Sequence, residues 1–481
     1  MATSERTFPD PGAKPGEYAL EWLVGKSRRF SGEVALAPRR RPQIGLLGKL
    51  KRRRPNAAGE LVYTFPGESI NFPRLVGRLR SNEEVVVIDA TLSEWFPERA
   101  VGDGRWGIVG LDIAGVPGDR YEHVSLQISD SDLWFGAQPL AKTTWPAPKT
   151  KTFSATLNQA AHRVWRDTRN GIAFHFGYHH TYSLDPYRFG LTFAPVIHIH
   201  SRQPLTLDEW SDHWIAPLVD LASIATKRPQ TVSWLRVHQG EGRSRRSGTV
   251  FGWGVHQSPY TAHYDAEWRT NPERRPLFTF AQLPVTPMRL MRKWRSLQDG
   301  DDRFIELYRA ALFQPDLPSR ARFLHLIQAL EARHSFAERK ADAQAQAWFE
   351  TRRDEVIEAA RVAGLPREDH RFLKDEWSKN KPHSLESRLL PLLNDVPSGV
   401  RQRIESDHRL DPLRSQLIAT DGATTMQAQL RVIRNTLSHG KGNYPEDILH
   451  PWVAAVETIC HAQLLGLLGF SSSEVEKALT T

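Results

Sequence analysis

The sequence predicts an α+β multidomain protein, in which a mostly antiparallel β region precedes an all-α helical bundle. Short β-type runs separated by turn residues fill the first 300 of the 481 residues. This part also holds 12 of the 15 tryptophans and 23 of the 32 prolines. After it, apolar residues recur at helical spacing over long segments. Since the chain is too long for one ordinary domain, we place a β-rich region at residues 1–300 and a helical region at residues 301–481.

Alternating apolar and polar residues predict the strands of the first region. The predicted strands are "EEVVVIDATL", "YEHVSLQIS", "PVIHIHS", "TVSWLRVHQ" and "LFTFAQL". One helix interrupts them, in "LTLDEWSDHWIAPLVDLASIAT", because Trp210, Trp214, Leu218 and Leu221 recur at helical spacing. This region is therefore expected to be a β domain with one packed helix.

Helical patterns dominate from Asp302 to the end of the chain. They are "DRFIELYRAALF", "RARFLHLIQALEARHSFAERK", "QAWFETRRDEVIEAARVAG", "SLESRLLPLLNDV", "TTMQAQLRVIRNTLSH" and "PEDILHPWVAAVETICHAQLLGLLGF". The last segment is the most apolar, but Glu457, His461 and Gln463 interrupt it. It is therefore expected to be a buried helix of the bundle and not a membrane span.

The composition is that of a soluble globular protein, with 40% hydrophobic and 25% charged residues. A single cysteine, Cys460, excludes an internal disulfide framework and a Cys-rich zinc site. The first residues lack the apolar segment of a signal peptide. These features predict a cytoplasmic protein with no membrane partner.

The net charge of +9 and the pI of about 9.6 favour an anionic partner. Basic residues are concentrated in "GKLKRRRPNAAGE" and "GEGRSRRSG". Two interpretations of these clusters stay open. They are solvated loops, or they form a surface that follows phosphates and binds less tightly as salt rises.

Several apparent motifs lack the context that their chemistry needs. "GDGRWG" matches a dinucleotide-binding pattern, but we expect neither a strand before it nor a helix after it. Five histidines lie close together in sequence: His175, His179, His180, His198 and His200. A metal site there is conceivable, but no carboxylate stands at a suitable spacing, so packed or surface histidines are the preferred interpretation. We therefore predict no metal and no cofactor.

The stretch "TTMQAQLRVIRNTLSHG" combines an apolar stripe with polar residues of chemical interest. Met426, Leu430, Ile433 and Leu437 follow one face of a helix. Asn435 and His439 are an i, i+4 pair, close enough to hydrogen-bond. The glycine after the histidine predicts that the helix ends there.

Arg434 and His439 stand five residues apart, which in a continuous helix turns their side chains roughly 140° from each other. The same spacing recurs in "RARFLH" and "RIESDH", so spacing alone carries little information. Only the third copy has Asn directly after Arg and glycine directly after His. Two copies of the chain across a two-fold axis would bring two arginines and two histidines into one cleft.

"RNTLSHG", at the end of a late helix of an α bundle, resembles the motif of the HEPN ribonuclease superfamily, an Arg and a His a few residues apart. A Trp-rich β region, a helix with "FLHLIQALEARH" and then this motif is similar to the layout of the ApeA-type HEPN proteins of bacterial antiphage defence. One toxin branch of the superfamily carries Tyr two positions after His, where this chain has Lys441. The chemistry of that branch, including nucleotide transfer to tyrosine, is therefore not expected.

The resemblance implies that Arg434 and His439 are the catalytic pair and that Asn435 orients them. Glu331 has two open interpretations: a buried carboxylate paired with an arginine, or a residue that orients Arg434 or tunes His439. We expect RNA contacts from Arg431, Ser438 and Lys441, residues of the same motif.

The chemistry that follows needs no metal. Histidine exchanges a proton near neutral pH, and arginine holds a phosphate through two hydrogen bonds. RNA supplies its own nucleophile, the 2′-hydroxyl. The predicted function is therefore a metal-independent endoribonuclease that leaves a 2′,3′-cyclic phosphate and a 5′-hydroxyl.

The expected partners are an RNA substrate, for which the family suggests transfer RNA, a homodimer or higher even-numbered oligomer, and a phage-derived trigger. The β region would control the activity. Two other functions stay open. One is a catalytically silent HEPN protein that acts as a binding or scaffold module, and the other is a nucleic-acid-binding regulator driven by the basic loops.

Overall fold

The computed structural model describes residues 13–480 except 26, 51–68, 95–97, 145–153, 186–187, 241–244, 261–274, 284, 301, 315, 338, 380–383 and 441. The chain divides into two compact units. The β unit comprises Met1–Thr226 and Gln230–Met291, and the helical unit comprises Lys227–Pro229 and Arg292–Thr481. An antiparallel β part followed by a helical part confirms the predicted α+β class.

The β unit is built from antiparallel strands. Fifteen are described: β1 Gly16–Val24, β2 Arg28–Leu36, β3 Gln43–Leu47, β4 Ser69–Leu79, β5 Glu84–Glu94, β6 Arg99–Asp103, β7 Trp106–Leu111, β8 Tyr121–Ile128, β9 Leu140–Thr144, β10 Ser154–Leu157, β11 Arg163–Asp167, β12 Ile172–Asp185, β13 Arg188–Leu205, β14 Val232–Gln239 and β15 Arg246–Gly252. Four of the predicted strands are present, as β5, β8, β13 and β14. "GDGRWG" lies across the end of β6 and the start of β7, so a strand does precede its turn, contrary to our expectation. A second strand and not a helix follows, which excludes a dinucleotide-binding turn.

Thirteen strands form one sheet in the order β11-β12-β13-β8-β14-β15-β7-β5-β4-β1-β2-β3-β6. β6 also pairs with β5, so the strands from β5 to β6 in this order close into a barrel. The strands from β7 to β11 extend from β5 as an open sheet. The β unit is thus a closed barrel continued by a sheet.

Trp22 fills the interior of the barrel. It is fully buried, and its indole Nε1 donates a hydrogen bond to the carbonyl of Gly45 at 3.0 Å. Gly32 lies against the same place, where a Cβ atom would come within 2.2 Å of the Gly45 oxygen and 2.7 Å of the Trp22 ring. Only glycine leaves room for the indole there.

A helical segment packs on the open sheet as predicted. It consists of α2 Leu207–Trp210, a π-helical turn Ser211–Ile215 and α3 Ala216–Thr226, and a short α1, Ser131–Phe135, precedes it in the chain. Thr206 and Glu209 form a capping box at its start. Trp210, fully buried, donates from Nε1 to the carbonyl of Tyr121 in β8 at 3.0 Å, which attaches the segment to the sheet.

The prediction of a strand at "LFTFAQL" is wrong. Phe280–Gln282 form a 3-10 turn, and the backbone N–H of Leu277 donates to the carbonyl of Ala225 in α3 at 2.6 Å. Phe280 packs edge-on against Trp134, with ring centroids 4.8 Å apart. The apolar residues of this segment are thus buried in a turn and not in a strand.

The helical unit follows the predicted pattern. Its helices, after α4 Pro287–Gln298, are α5 Arg303–Leu312, α6 Ser319–Ala337, α7 Arg339–Val362, α8 Arg367–Lys379, α9 Leu385–Asn394, α10 Ser398–Glu405, α11 Asp411–Asp421, α12 Met426–Ser438, α13 Glu446–Leu468 and α14 Ser472–Thr480. α6 packs against α5, α9, α12 and α13, so it is the central helix.

α13 is the one helix among the described residues that is long and apolar enough to cross a membrane. Of its most apolar window, 72% is buried inside the protein. Trp452, Ile459 and Cys460 are fully buried in it. The prediction of a buried helix is confirmed.

Candidate active site

α12 carries the candidate site at its C-terminal end. The helix begins after Thr425, whose side chain accepts a hydrogen bond from the Ala428 N–H. Leu430, Ile433 and Leu437 are fully buried, and Met426 is half-buried. This apolar stripe presses one side of α12 into the bundle, and the polar residues of the motif therefore lie at its edge.

Arg434 is held by two acceptors. Its Nη2 lies 3.5 Å from Oε1 of Glu331 in α6, and its Nη1 donates to Oδ1 of Asn435 at 3.2 Å. The side chains of Arg434 and Glu331 are 32% and 22% exposed, so the ion pair adds little stability. Its effect is to fix the plane of the guanidinium while other N–H groups of Arg434 stay available for an anion.

His439 ends the helix as its C-cap, and Gly440 follows with a φ of +64°. The His439 N–H donates to the carbonyl of Asn435 at 3.0 Å. The spacing places the side chains of Asn435 and His439 close enough to hydrogen-bond, but the described residues show no such bond, and the amide oxygen of Asn435 accepts from Arg434. The His439 imidazole is exposed and makes no hydrogen bond or ion pair with any residue that the structure describes.

Three other residues of the motif were expected to contact RNA. Arg431 lies 3.4 Å (Nε) from Oε2 of Glu386 in α9 and is partly engaged there. Ser438 is exposed beside His439. Lys441 lies outside the described residues. The structure therefore places Arg431 and Ser438 at the accessible edge of α12.

The two other R-x4-H sequences have structural partners elsewhere. Arg403 donates to the carbonyl of Leu479 at 2.8 Å, and His408 lies 3.2 Å (Nδ1) from Oδ2 of Asp411. Arg320 donates to the carbonyl of Leu437 at 2.5 Å. Arg403 and His408 thus make contacts at helix ends away from the motif, whereas Arg320 contacts α12 itself.

The histidines singled out from the sequence come together on the open sheet with two that were not foreseen. We call His123, His175, His179, His198, His200 and His238 the histidine layer; His180 points to the other face of β12. Cross-strand register aligns His238, His123 and His200 in one row. The rings of His123 and His200 are stacked, with centroids 3.8 Å apart.

Ser125 joins the histidine layer by hydrogen bonds. Its Oγ lies 2.9 Å from His198 Nδ1, 2.9 Å from His238 Nε2 and 3.1 Å from His123 Nε2. Within the described parts of the chain, no group of three His, Cys, Asp or Glu residues has a geometry that could hold a metal ion. The stacked rings and the hydrogen bonds of Ser125 show that these histidines pack against one another.

Burial lowers the pKa of His123, His175, His179, His198 and His238, and neighbouring imidazoles lower it further. Arg245 adds to the effect at His123, His198 and His238. The pKa falls to about 4 for His179, about 3 for His198 and about 2 for His238. Their ordinary value is about 6.5. These five histidines are therefore neutral at physiological pH.

The lowered pKa of these buried histidines predicts that the β unit loses stability in acid. Above pH 6.5 the stabilisation from the neutral layer is fully present, because neither state is protonated. Between pH 6.5 and about 4 the unfolded chain binds more protons than the folded one. The unfolding free energy should therefore fall, as the pH is lowered, by up to ~1.4 kcal/mol per pH unit for each histidine with a lowered pKa. Urea unfolding followed by tryptophan fluorescence should show this slope. His198→Gln should flatten it, and His213→Gln, an exposed histidine outside the layer, should not; equal slopes in both variants would refute the assignment.

The β unit also decides the family. Residues 18–294 match the model of ApeA N-terminal domain 1, which is more than half of the chain. The chain belongs to the ApeA family. It is an ApeA-type antiphage defence protein, as the resemblance implied. No curated protein and no solved structure matches it.

The ApeA match covers the barrel, the open sheet and the histidine layer, and it ends inside α4. It does not extend to α6 or α12. The HEPN assignment of the helical unit, and with it the roles of Arg434 and His439, therefore stays a prediction.

Arg320 reaches the candidate site, which the sequence did not reveal. In the sequence it is only one more R-x4-H copy, yet its guanidinium binds the last turn of α12. Neither charge nor periodicity distinguishes it from the other arginines of this ApeA protein.

Proposed function

We propose that the chain is a metal-independent endoribonuclease of antiphage defence that acts through Arg434 and His439. The supporting observation is the arginine held by Glu331 and Asn435 on the helix that ends at His439. An oriented guanidinium on a helix that ends at an exposed imidazole suits the cleavage of a phosphodiester.

The proposed reaction uses the RNA as its own nucleophile. A neutral His439 removes the proton of the 2′-hydroxyl, and the 2′-oxygen attacks the adjacent phosphorus. The bond from phosphorus to the 5′-oxygen breaks, and a protonated histidine gives its proton to the leaving oxygen. Arg434 stabilises the negative charge that develops on the phosphate oxygens. The products are a 2′,3′-cyclic phosphate and a 5′-hydroxyl.

The motif at the end of α12 supplies one imidazole per subunit, that of His439, whereas this reaction uses a base and an acid. No hydrogen bond joins the Arg434 and His439 side chains in the described part of the chain. In the proposed assembly, a second copy related by a two-fold axis supplies the other arginine and histidine.

The shared site predicts complementation between inactive subunits. Arg434→Ala and His439→Ala homodimers should each be strongly impaired. Mixed dimers should regain part of the activity, because one arginine and one histidine then meet in the same cleft, although the second histidine is still missing. Co-expression with two different affinity tags isolates the mixed dimer. A chain that is monomeric at working concentration and cuts RNA at full rate would rule out a shared site.

Cleavage should also proceed in EDTA, because the 2′-hydroxyl, the histidines and Arg434 supply the nucleophile, the proton transfers and the charge stabilisation. Purified protein and transfer RNA incubated with EDTA should yield 2′,3′-cyclic phosphate ends. These ends resist ligation until they are opened, which identifies them. Activity that vanishes in EDTA and returns with magnesium or manganese would contradict the mechanism.

The β unit, which carries the family match, controls the helical unit in this proposal. Its described residues form the histidine layer and a packed barrel core. They contain no second Arg/His pair of the kind at the end of α12. A phage-derived trigger would act on this unit and release RNA cleavage.

A further inference from the structure

A cleft lies beside the end of α12, where the N-termini of α6 and α13 meet. Its volume is about 490 Å³, which falls within the range of small-ligand pockets, roughly 300–1,000 Å³. Pro318 and Arg320 line one side, and Asn443, Tyr444 and Pro445 line the other. We call it the Tyr444 cleft.

Arg320 links the Tyr444 cleft to the candidate active site. It lines the cleft, and its Nη2 donates to the carbonyl of Leu437, two residues before His439. The chain also runs from His439 to Tyr444 within five residues. A group bound in the cleft therefore lies beside the arginine that binds the last turn of α12, two residues before His439.

The walls of the cleft are fixed before any ligand binds. Pro445, with φ of −52°, directly precedes α13, and Pro318 directly precedes α6. Glu446 accepts hydrogen bonds from both the N–H and the hydroxyl of Ser319, which ties the two helix starts together. Such preorganisation lowers the entropic cost of binding.

The side chains on the cleft match a nucleobase. Tyr444 is half-buried and offers an aromatic ring, on which any base can stack. Asn443 is exposed, and its amide carries both a donor and an acceptor for the edge of a base. Neither side chain has a hydrogen-bond partner among the residues that the structure describes.

We propose that the Tyr444 cleft is a nucleobase subsite that selects the nucleotide beside the scissile phosphate, with Tyr444 stacking on the base and Asn443 reading its edge. This inference rests on the proposed ribonuclease function. It assigns to Arg320 the role of a positioning residue between the cleft and His439.

Cleavage kinetics and product sequences test the subsite. On a pool of random single-stranded RNA, Tyr444→Ala should raise KM roughly tenfold to a hundredfold and change kcat little, because stacking on the ring is lost. Tyr444→Phe should retain the KM, since the ring remains. Asn443→Ala, at an exposed position where folding is not affected, should flatten the nucleotide preference at the cut. Phe372→Ala, which removes an exposed ring from α8, is the matched control.

A binding measurement separates this inference from the proposed function. A DNA oligonucleotide lacks the 2′-hydroxyl nucleophile, so it should bind without being cut, and Tyr444→Ala should weaken its binding to the full chain. If His439→Ala still cuts RNA, the proposed function fails, and the binding result alone decides the subsite. If His439→Ala is inactive but Tyr444→Ala and Asn443→Ala change neither KM, nucleotide preference nor binding, the subsite is wrong and the function stands.

Discussion

Replacing His439 by alanine should lower the rate of RNA cleavage by about 10³-fold, because positioned acid–base catalysis contributes on the order of 10²–10⁴-fold. The chain should stay folded, since the imidazole is exposed and bonded to nothing among the described residues. Gel-resolved cleavage of a labelled RNA, with circular dichroism on the same sample, measures both quantities.

His408→Ala is the matched control for this experiment. His408 is also the last residue of an R-x4-H sequence, it is exposed, and it lies near Asp411 away from α12. The His408→Ala variant should cut RNA at the normal rate. If the two alanine variants are equally active, His439 is not catalytic, and a binding or scaffold role for the helical unit becomes the better explanation.

Replacing Arg434 by alanine should reduce kcat by roughly 10²–10³-fold, the loss typical of one group that stabilises charge in a transition state. Arg434→Lys should recover only part of it, because an ammonium cannot hold a phosphate through two parallel hydrogen bonds. Arg403→Ala removes the arginine of another R-x4-H copy and should leave kcat unchanged.

Glu331→Gln tests whether the ion pair orients Arg434. The amide keeps an acceptor oxygen for Arg434 but removes the charge, so the expected loss is smaller than that of Arg434→Ala and falls on kcat more than on KM. Combined with Arg434→Ala, it should cause no further loss, because the two act as one unit. Additive losses in the double variant would show that Glu331 acts independently of Arg434.

Local pattern was sufficient for most elements. The stripe of Leu430, Ile433 and Leu437 predicted both the course of α12 and its buried face, and the glycine after His439 predicted its end. Helical and strand periods are set by residues a few positions apart, which is why they can be read from the sequence. "LFTFAQL" shows the limit, since the partner of its backbone is the end of α3 and not another strand.

The environment of the candidate site could not be predicted in the same way. Arg434 and Glu331 are 103 positions apart, and Arg320 and Leu437 are 117 positions apart. Both contacts arise because α6 and α12 pack side by side. Even the local i, i+4 pair of Asn435 and His439 was not decided by spacing, because among the described residues the Asn435 amide bonds to Arg434.

The sequence by itself determined the α+β class, the order of most elements and the residue types at the end of α12, because each depends on composition or on neighbours within a few turns of helix or strand. Only the tertiary structure decided that β6 closes the barrel on β5, that His123 and His238 join the other histidines, and that Glu331 and Arg320 reach α12. Those contacts join residues distant along the chain, and their geometry depends on how whole elements pack, which no local pattern encodes.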